Sequence, residues 1–497
     1  MSFGVLFPYV NYRVETIVPP GIMLLSRILK DAGFRVSVFD TTDYGLDLAH
    51  DYEKLTEASL GVRPSSHRKP KYFERDVYKD FNDSVNSFNP NLIAVSATEN
   101  TFLLAVEMIK RLKYRDACEI PVVLGGPFAT SASERALDFP EIDIVCVGEG
   151  ETPLRELCQR MEKGKDWSDV PGLVFRNRLG KIQKNPLPPP TELDQNPTNP
   201  DLTLFDWDRF VRPMAGRLYF TVPVETARGC VYPCTFCNSR LTGVRVKSME
   251  KVREEIFWYI ENSPVPVEYL FLWADTLLLM PKESLRELCE VLKDVGLPWW
   301  GQSHVNTIDR WRLEMIKNAG IHRLSIGIEH GNQKFRMETV RKEFTDEQAV
   351  KATEFLEDAG ITYNTNNIVG YPGETPELAL DTVRLNRRFK KVDTTNCFTF
   401  APYHGTPARD WAVSSGFIDP GTIAPGNAER SILRMPQFPV DDIERFRLSF
   451  ALKVKFPESR WSEIDRAMYE TPEALVLRNK LHQEYRETFF GEAKISF

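Results

Sequence analysis

Residues 226–239 read Thr226-Ala-Arg-Gly-Cys230-Val-Tyr-Pro-Cys234-Thr-Phe-Cys237-Asn-Ser239. Cys230, Cys234 and Cys237 stand at C-x3-C-x2-C spacing, and Phe236 directly precedes the third. Thiolates are soft ligands that suit iron–sulfur clusters or zinc. Three of them are one short of the four that close a [4Fe–4S] cluster or a structural zinc site. A cluster held by three leaves one iron open to a substrate or cofactor, which is a catalytic arrangement. A zinc knuckle would need a fourth Cys or His at suitable spacing, and the nearest histidine is His304. Three unrelated core cysteines are the remaining reading.

With this spacing and this aromatic, the loop resembles the cluster loop of the radical SAM enzymes. The resemblance implies that Cys230, Cys234 and Cys237 hold a [4Fe–4S] cluster. It also implies that the amino and carboxylate groups of S-adenosylmethionine chelate the fourth iron.

Upstream of the loop, residues 1–165 alternate strand-like and helix-like segments. Leu92-Ile-Ala-Val-Ser96 and Pro121-Val-Val-Leu124 are short apolar runs of the kind buried parallel strands show. The alternation predicts a doubly wound, Rossmann-like sheet whose ligand lies beyond the strands' carboxyl ends. Gly125-Gly126-Pro127 and Gly148-Glu149-Gly150 mark two of those ends. Glycine permits close backbone approach to a ligand. Together with Pro19-Pro20-Gly21 and Asp40, these turns resemble the cobalamin-binding domain fused ahead of many radical SAM enzymes. The resemblance implies cobalamin contacts at Asp40, Gly125, Gly126, Gly148, Glu149 and Gly150, with Ser96 and Thr98 as hydrogen-bond donors to its tail. Domains that ligate cobalt from below carry Asp-x-His-x-x-Gly, whereas this chain has Asp40-Thr-Thr-Asp43-Tyr-Gly45. The domain's histidines, His50 and His67, fall in or beside a polar insertion around 48–88. Cobalamin is therefore expected without a histidine lower ligand.

Proline clusters make residues 166–215 a linker, pinned by Leu204-Phe205 and Trp207. Residues 216–414 resume the alternation with six strand–helix units, which fits the partial (β/α)6, TIM-like barrel of the radical SAM family. In that family's pattern, Phe236, Asp275, Glu329, Ile368 and Gly370 match S-adenosylmethionine positions. His304 and His404 fall at expected strand ends, where histidine suits proton transfer near neutral pH, and are read as substrate contacts. Residues 415–497 read as a small C-terminal helical cap.

Of the 497 residues 42% are hydrophobic and 27% charged, as in ordinary globular proteins. A net charge of −7 argues against a nucleic-acid partner held by a basic surface. No apolar stretch is long enough to span a membrane, and the N-terminus lacks the regions of a signal peptide. The remaining cysteines are scattered, so the expected setting is a reducing cytoplasm. The family resemblance implies a cobalamin-dependent methyltransferase acting on an unactivated carbon through a 5′-deoxyadenosyl radical. The alternative is a radical cyclase, oxidase or rearrangement enzyme without net methylation. A small-molecule, lipid or tetrapyrrole substrate fits either, with an external one-electron reductant such as flavodoxin or ferredoxin.

Overall fold

The computed structural model describes residues 2–11, 18–44, 73–115, 119–240 and 242–490. His50 and His67 lie outside them. Strands β1 (Gly4–Tyr9), β2 (Arg35–Asp40), β3 (Leu92–Ser96), β4 (Val122–Gly125), β5 (Ile144–Cys146), β6 (Leu173–Arg176) and β7 (Ile182–Lys184) form the first sheet. Their order is β2-β1-β3-β4-β5-β6-β7. β1 to β5 are parallel, and β6 and β7 add an antiparallel edge. Successive side chains of β1 and β3 enter two different cores. Val5, Phe7, Leu92 and Ala94 face one, and Leu6, Ile93 and Val95 face the other. A strand buried on both faces must be apolar at every position, which explains the unbroken hydrophobic runs. Helices α1 (Pro20–Asp31), α2 (Val77–Phe88), α3 (Glu99–Arg115) and α4 (Glu151–Glu162) belong to this sheet.

The proline-rich segment is more structured than a linker. Leu193, Leu202, Leu204, Phe205 and Phe210 are buried, and Trp207 packs against Phe210 and Phe220. The segment ends in β8 (Val211–Met214), which pairs antiparallel with β9 (Arg217–Glu225). Its apolar residues, too sparse for periodicity, are held by the core that runs on into the second sheet.

A short ladder of β10 (Ala227–Arg228) and β11 (Arg245–Val246) brackets the cysteine loop. The barrel strands follow as β12 (Tyr269–Trp273), β13 (Trp299–His304), β14 (Ile321–Glu329), β15 (Thr362–Val369) and β16 (Thr394–Thr399). The second sheet has the order β16-β15-β14-β13-β12-β9-β8, with β9 and β12 to β16 all parallel. This is the six-stranded partial barrel. Its helices include α5 (Met249–Asn262), α6 (Lys282–Val295), α7 (Arg310–Asn318), α8 (Asp346–Asp358) and α9 (Pro376–Asn386). Leu324, Ile326 and Ile328 of β14 face the core outside the barrel. Ser325 and Gly327 alternate with them on the inner face. The C-terminal helices α10 (Val440–Lys455), α11 (Trp461–Ala467) and α12 (Pro472–Phe490) close the chain, and α10 packs on β16 and α9. Among the described residues no helix is long and apolar enough to cross a membrane.

Candidate active site between the two sheets

The first sheet's carboxyl ends and the approach to the cysteine loop share one cavity of about 1120 Å³. Ordinary small-molecule pockets run from roughly 300 to 1,000 Å³. Ser96, Thr98, Gly125, Gly126, Gly148, Glu149 and Gly150 line it from one side. Gly229, Ser239 and Asp275 line it from the other. Gly126 has φ +94°, and a Cβ there would sit 2.8 Å from the Ala97 carbonyl oxygen, so only glycine fits. Gly148, at φ +83°, has open space where a Cβ would be. At these turns the wall presents backbone between side chains such as Tyr9, Asn100 and Leu154, and it leaves room for a bulky cofactor. Among the described residues no histidine lines it.

Charge pairs tie the wall to the barrel. Arg245 binds Glu149 and the Thr191 carbonyl, while Arg228 reaches Glu149 at 3.1 Å, Glu151 at 2.7 Å and Glu225 at 2.7 Å. Burial alone would raise the Glu149 pKa. Hydrogen bonds from Arg245 and the Thr191 amide, with the Arg228 charge, outweigh it and bring the pKa down to about 2. Arg228 directly precedes the cysteine loop, so the ion pairs fix that loop against the first sheet.

Asp40 corrects an expectation. It is not among the cavity's lining residues, and Arg209 of the proline-rich segment donates to it at 2.7 Å. A buried guanidinium requires a counter-charge, and the end of β2 supplies it.

The cysteine loop is held open by its own backbone. Gly229 Cβ would fall 1.8 Å from the Gly243 carbonyl oxygen, so the loop crosses itself at two glycines. The Gly229 amide donates to Asp275 at 2.8 Å, and the Cys230 amide to Thr242 at 3.1 Å. Thr235 is clamped by the carbonyls of Thr339 and Val340. All three cysteines are free. Burial pushes the Cys234 thiol up to about 11 and raises that of Cys237 as well. Buried thiols of this kind become thiolates when a metal compensates the charge. Among the described residues no three metal-binding side chains converge as one ion would require.

Beside this loop stands a charged pair that the sequence reading missed in part. Glu329 ends β14 at φ +64° and accepts a hydrogen bond from Lys342 Nζ at 2.8 Å. Both are buried, and a Cβ on Gly327 would strike them. Burial pulls the Lys342 pKa down, but Glu329 and the Cys234 and Cys237 sulfurs outweigh it and raise it. No local pattern announced Lys342, which arrives from the turn after a π-helical segment, Arg336–Val340. Gly370 turns at φ +89° and, with Tyr371, donates its amide to Glu374, which is bound by the buried His330. Phe236 meets Tyr371 edge-on, joining the cysteine loop to that turn. Ile368 lies half-buried on the inner face of β15, just before it.

Neither histidine is a lining residue of the shared cavity. His304 is buried, stacks on Tyr232 of the cysteine loop at 3.8 Å, and accepts the Asn306 amide at Nδ1. Burial drives its pKa down to about 2, so it remains neutral. His404 is bound at Nδ1 by Glu99 at 2.6 Å, and Glu99 also accepts the amides of His404 and Ala424. Glu99 opens α3 of the first sheet, so His404 sits at a joint between domains. His304 ends β13, whereas His404 lies in a turn past β16; each ring has Nδ1 in a local hydrogen bond, and His304 Nε2 is buried with no partner among the described residues.

The family model for the radical SAM superfamily matches residues 224–385, and that for the B12 binding domain matches residues 9–158. An uncharacterised methyltransferase of Pyrococcus horikoshii is 28% identical over 69% of this chain and 73% of its own. The anaerobic magnesium-protoporphyrin IX monomethyl ester cyclase of Rubrivivax gelatinosus is 28% identical over 65% of this chain and 58% of its own. Among solved structures, the radical S-adenosylmethionine methyltransferase TsrM of Kitasatospora setae, with cobalamin and a [4Fe–4S] cluster bound, is 17% identical. Its fold superposes with a TM-score of 0.63 over 98% of this chain and 100% of that one. The chain thus carries a radical SAM domain over residues 224–385 and, ahead of it, a B12 binding domain over residues 9–158.

Proposed function

We propose that this enzyme is a cobalamin-dependent radical SAM methyltransferase. The observation that carries the reading is the single cavity walled by glycine turns 125–126 and 148–150 on one side and by Gly229, Ser239 and Asp275 on the other. Cys230, Cys234 and Cys237 are assigned to the cluster, and the glycine wall with Ser96 and Thr98 to cobalamin. When bound, the cluster supplies the electron that splits S-adenosylmethionine, and cobalamin supplies the methyl group. The chain's own residues position and exclude. Glu329 presents a carboxylate, fixed by Lys342, to a hydroxyl or ammonium of S-adenosylmethionine. Glu374 holds the Gly370 turn flat for its adenine, and Phe236 keeps that turn in step with the cysteine loop. Asp275 anchors Gly229, so the loop cannot swing out of the cavity. His304, neutral and buried, steadies Tyr232 and exchanges no proton.

A cyclisation or rearrangement without net methylation is the second reading, favoured by the relative named as a cyclase. Anaerobically reconstituted protein, given cobalamin, a reductant and S-adenosylmethionine bearing a trideuteromethyl group, separates the two. With candidate substrates, mass spectrometry should find the label in product. 5′-Deoxyadenosine should form in wild type and fall to background in Cys234→Ala. Deoxyadenosine formation with unlabelled, altered product would favour the second reading. Full cleavage in Cys234→Ala would overturn both.

A further inference from the structure

The inner faces of the later barrel strands carry a continuous hydrogen-bond chain. Trp300 Nε1 donates to Ser325 Oγ at 3.0 Å, and an indole nitrogen can only donate. Ser325 passes its own hydrogen to Asn364 Oδ1 at 2.7 Å. Asn364 then turns its Nδ2 to Asn366 Oδ1 at 3.3 Å. Asn396, the register partner of Asn366, donates its Nδ2 to the same oxygen at 3.0 Å. Networks decide which way an amide points, and in this one Ser325 gives its hydrogen to Asn364 while Asn366 Oδ1 accepts from both Asn364 and Asn396.

Two groups are left over at the end of the chain. No described residue accepts the Asn366 Nδ2 hydrogens, and none donates to Asn396 Oδ1. Burial shows where this end lies. Thr365, Asn367, Val369, Thr395, Cys397 and Thr399 are buried, whereas Asn366, Ile368, Asn396 and Phe398 are partly exposed. The alternation places the amide pair on the open, inner side of the barrel. At the chain's other end the wall is aromatic, with Trp300 stacked on Phe271 at 4.2 Å and 23°.

We propose that the Asn366–Asn396 pair reads the substrate, and that the substrate carries a planar, uncharged group with a hydrogen-bond acceptor beside an N–H donor, as in a lactam. The inference rests on the methyltransferase reading only in taking the barrel lumen as the substrate's place. The acceptor would take an Asn366 hydrogen, and the N–H would donate to Asn396 Oδ1. A carboxylate offers acceptors alone and would face the Asn396 oxygen unfavourably. A wholly apolar chain would strip water from both amides and pair with neither. The adenine of S-adenosylmethionine offers the same edge, so the test separates the two.

The test uses the full-length, anaerobically reconstituted protein and three probes, with binding read by quenching of tryptophan fluorescence. 2-Quinolone has the complete edge, N-methyl-2-quinolone lacks the N–H, and quinoline-2-carboxylate is acceptor-only. 2-Quinolone should bind about tenfold more tightly than either, as expected of one bidentate pair. Asn366→Asp keeps an oxygen that accepts from Asn364 and Asn396 but replaces the outward N–H with a second acceptor. It should erase that preference while S-adenosylmethionine affinity, measured by equilibrium dialysis, stays unchanged. Equal binding of the three probes, or no binding of 2-quinolone, would overturn the proposal. Weakened S-adenosylmethionine binding in Asn366→Asp would overturn it too, assigning the pair to adenine. No readout depends on cleavage or methyl transfer, so an enzyme that proves not to methylate would still decide the question.

Discussion

The first sheet meets the shared cavity with glycine turns set among its lining side chains, whereas the barrel surrounds its cysteine loop with charged and polar groups. Gly125, Gly126, Gly148 and Gly150 leave the first wall smooth, and their shape comes from turn conformations local in sequence. On the barrel side, Asp275 comes from the end of one strand, Glu329 from another and Lys342 from a turn thirteen residues further on. A wall of glycine accommodates a large cofactor by absence of bulk. A ring of charged and polar groups orients smaller ligands by direction. The two regions should therefore fail differently when altered, one through space and the other through charge.

The largest effect is expected from space. In Gly126→Val the new side chain would start 2.8 Å from the Ala97 carbonyl oxygen at a positive φ. Anaerobically purified variant protein supplied with hydroxocobalamin should retain none after gel filtration. Gly148→Ala, with no atom within 4 Å of its Cβ, should retain cobalamin and lose only about 1–2 kcal/mol of stability from its backbone conformation. Equal retention in both variants would remove the steric basis of the contrast.

Charge on the barrel side should give a smaller change. Glu329→Gln keeps size and one acceptor for Lys342 but removes the carboxylate. S-adenosylmethionine affinity should fall about tenfold, equivalent to about 1.4 kcal/mol. Isothermal titration of the reconstituted protein checks this, and an unchanged Kd would make the Glu329–Lys342 pair purely structural.

The smallest effect belongs to the joint between the regions. Glu149 has a folded pKa of about 2 against an ordinary 4.5. A depressed carboxylate pKa means the unfolded state binds the proton first. The pairing therefore contributes in full above pH 4.5 and is lost as pH falls toward 2. The group is partly exposed at the cavity wall, so solvent screening holds the contribution to about 1 kcal/mol or less. Unfolding curves of wild type and Glu149→Gln should differ slightly at pH 7 and converge in acid. A constant difference down to pH 2 would assign the effect to packing.

Local chemistry explains what was legible beforehand. The cysteine spacing, the apolar parallel strands and the glycine turns each express a constraint within a few residues, and the two-sheet architecture follows from them. The proline-rich segment looked like a linker because its anchors, Leu193 to Phe210, bury one at a time against distant strands. Asp40 was misread because its partner, Arg209, lies 169 residues away. Lys342, Glu99 and His330 acquire their roles through contacts that no periodicity encodes. His304 does end a strand, whereas His404 lies in a turn past one, and the contacts of these rings with Tyr232 and Glu99 come from elsewhere in the chain.

The central claim is that two cofactors face one another across one cavity, and electron paramagnetic resonance tests it most directly. Reduced protein loaded with both cluster and Co(II) cobalamin should give a Co(II) signal broadened by the nearby cluster spin. That broadening should vanish in Cys234→Ala. The signal should also lack nitrogen superhyperfine splitting, since Asp40-Thr-Thr-Asp43-Tyr-Gly45 has no histidine where Asp-x-His-x-x-Gly places one. A sharp Co(II) spectrum, identical in wild type and Cys234→Ala, would contradict the shared cavity, and a nitrogen-split one would contradict the histidine-free cobalt.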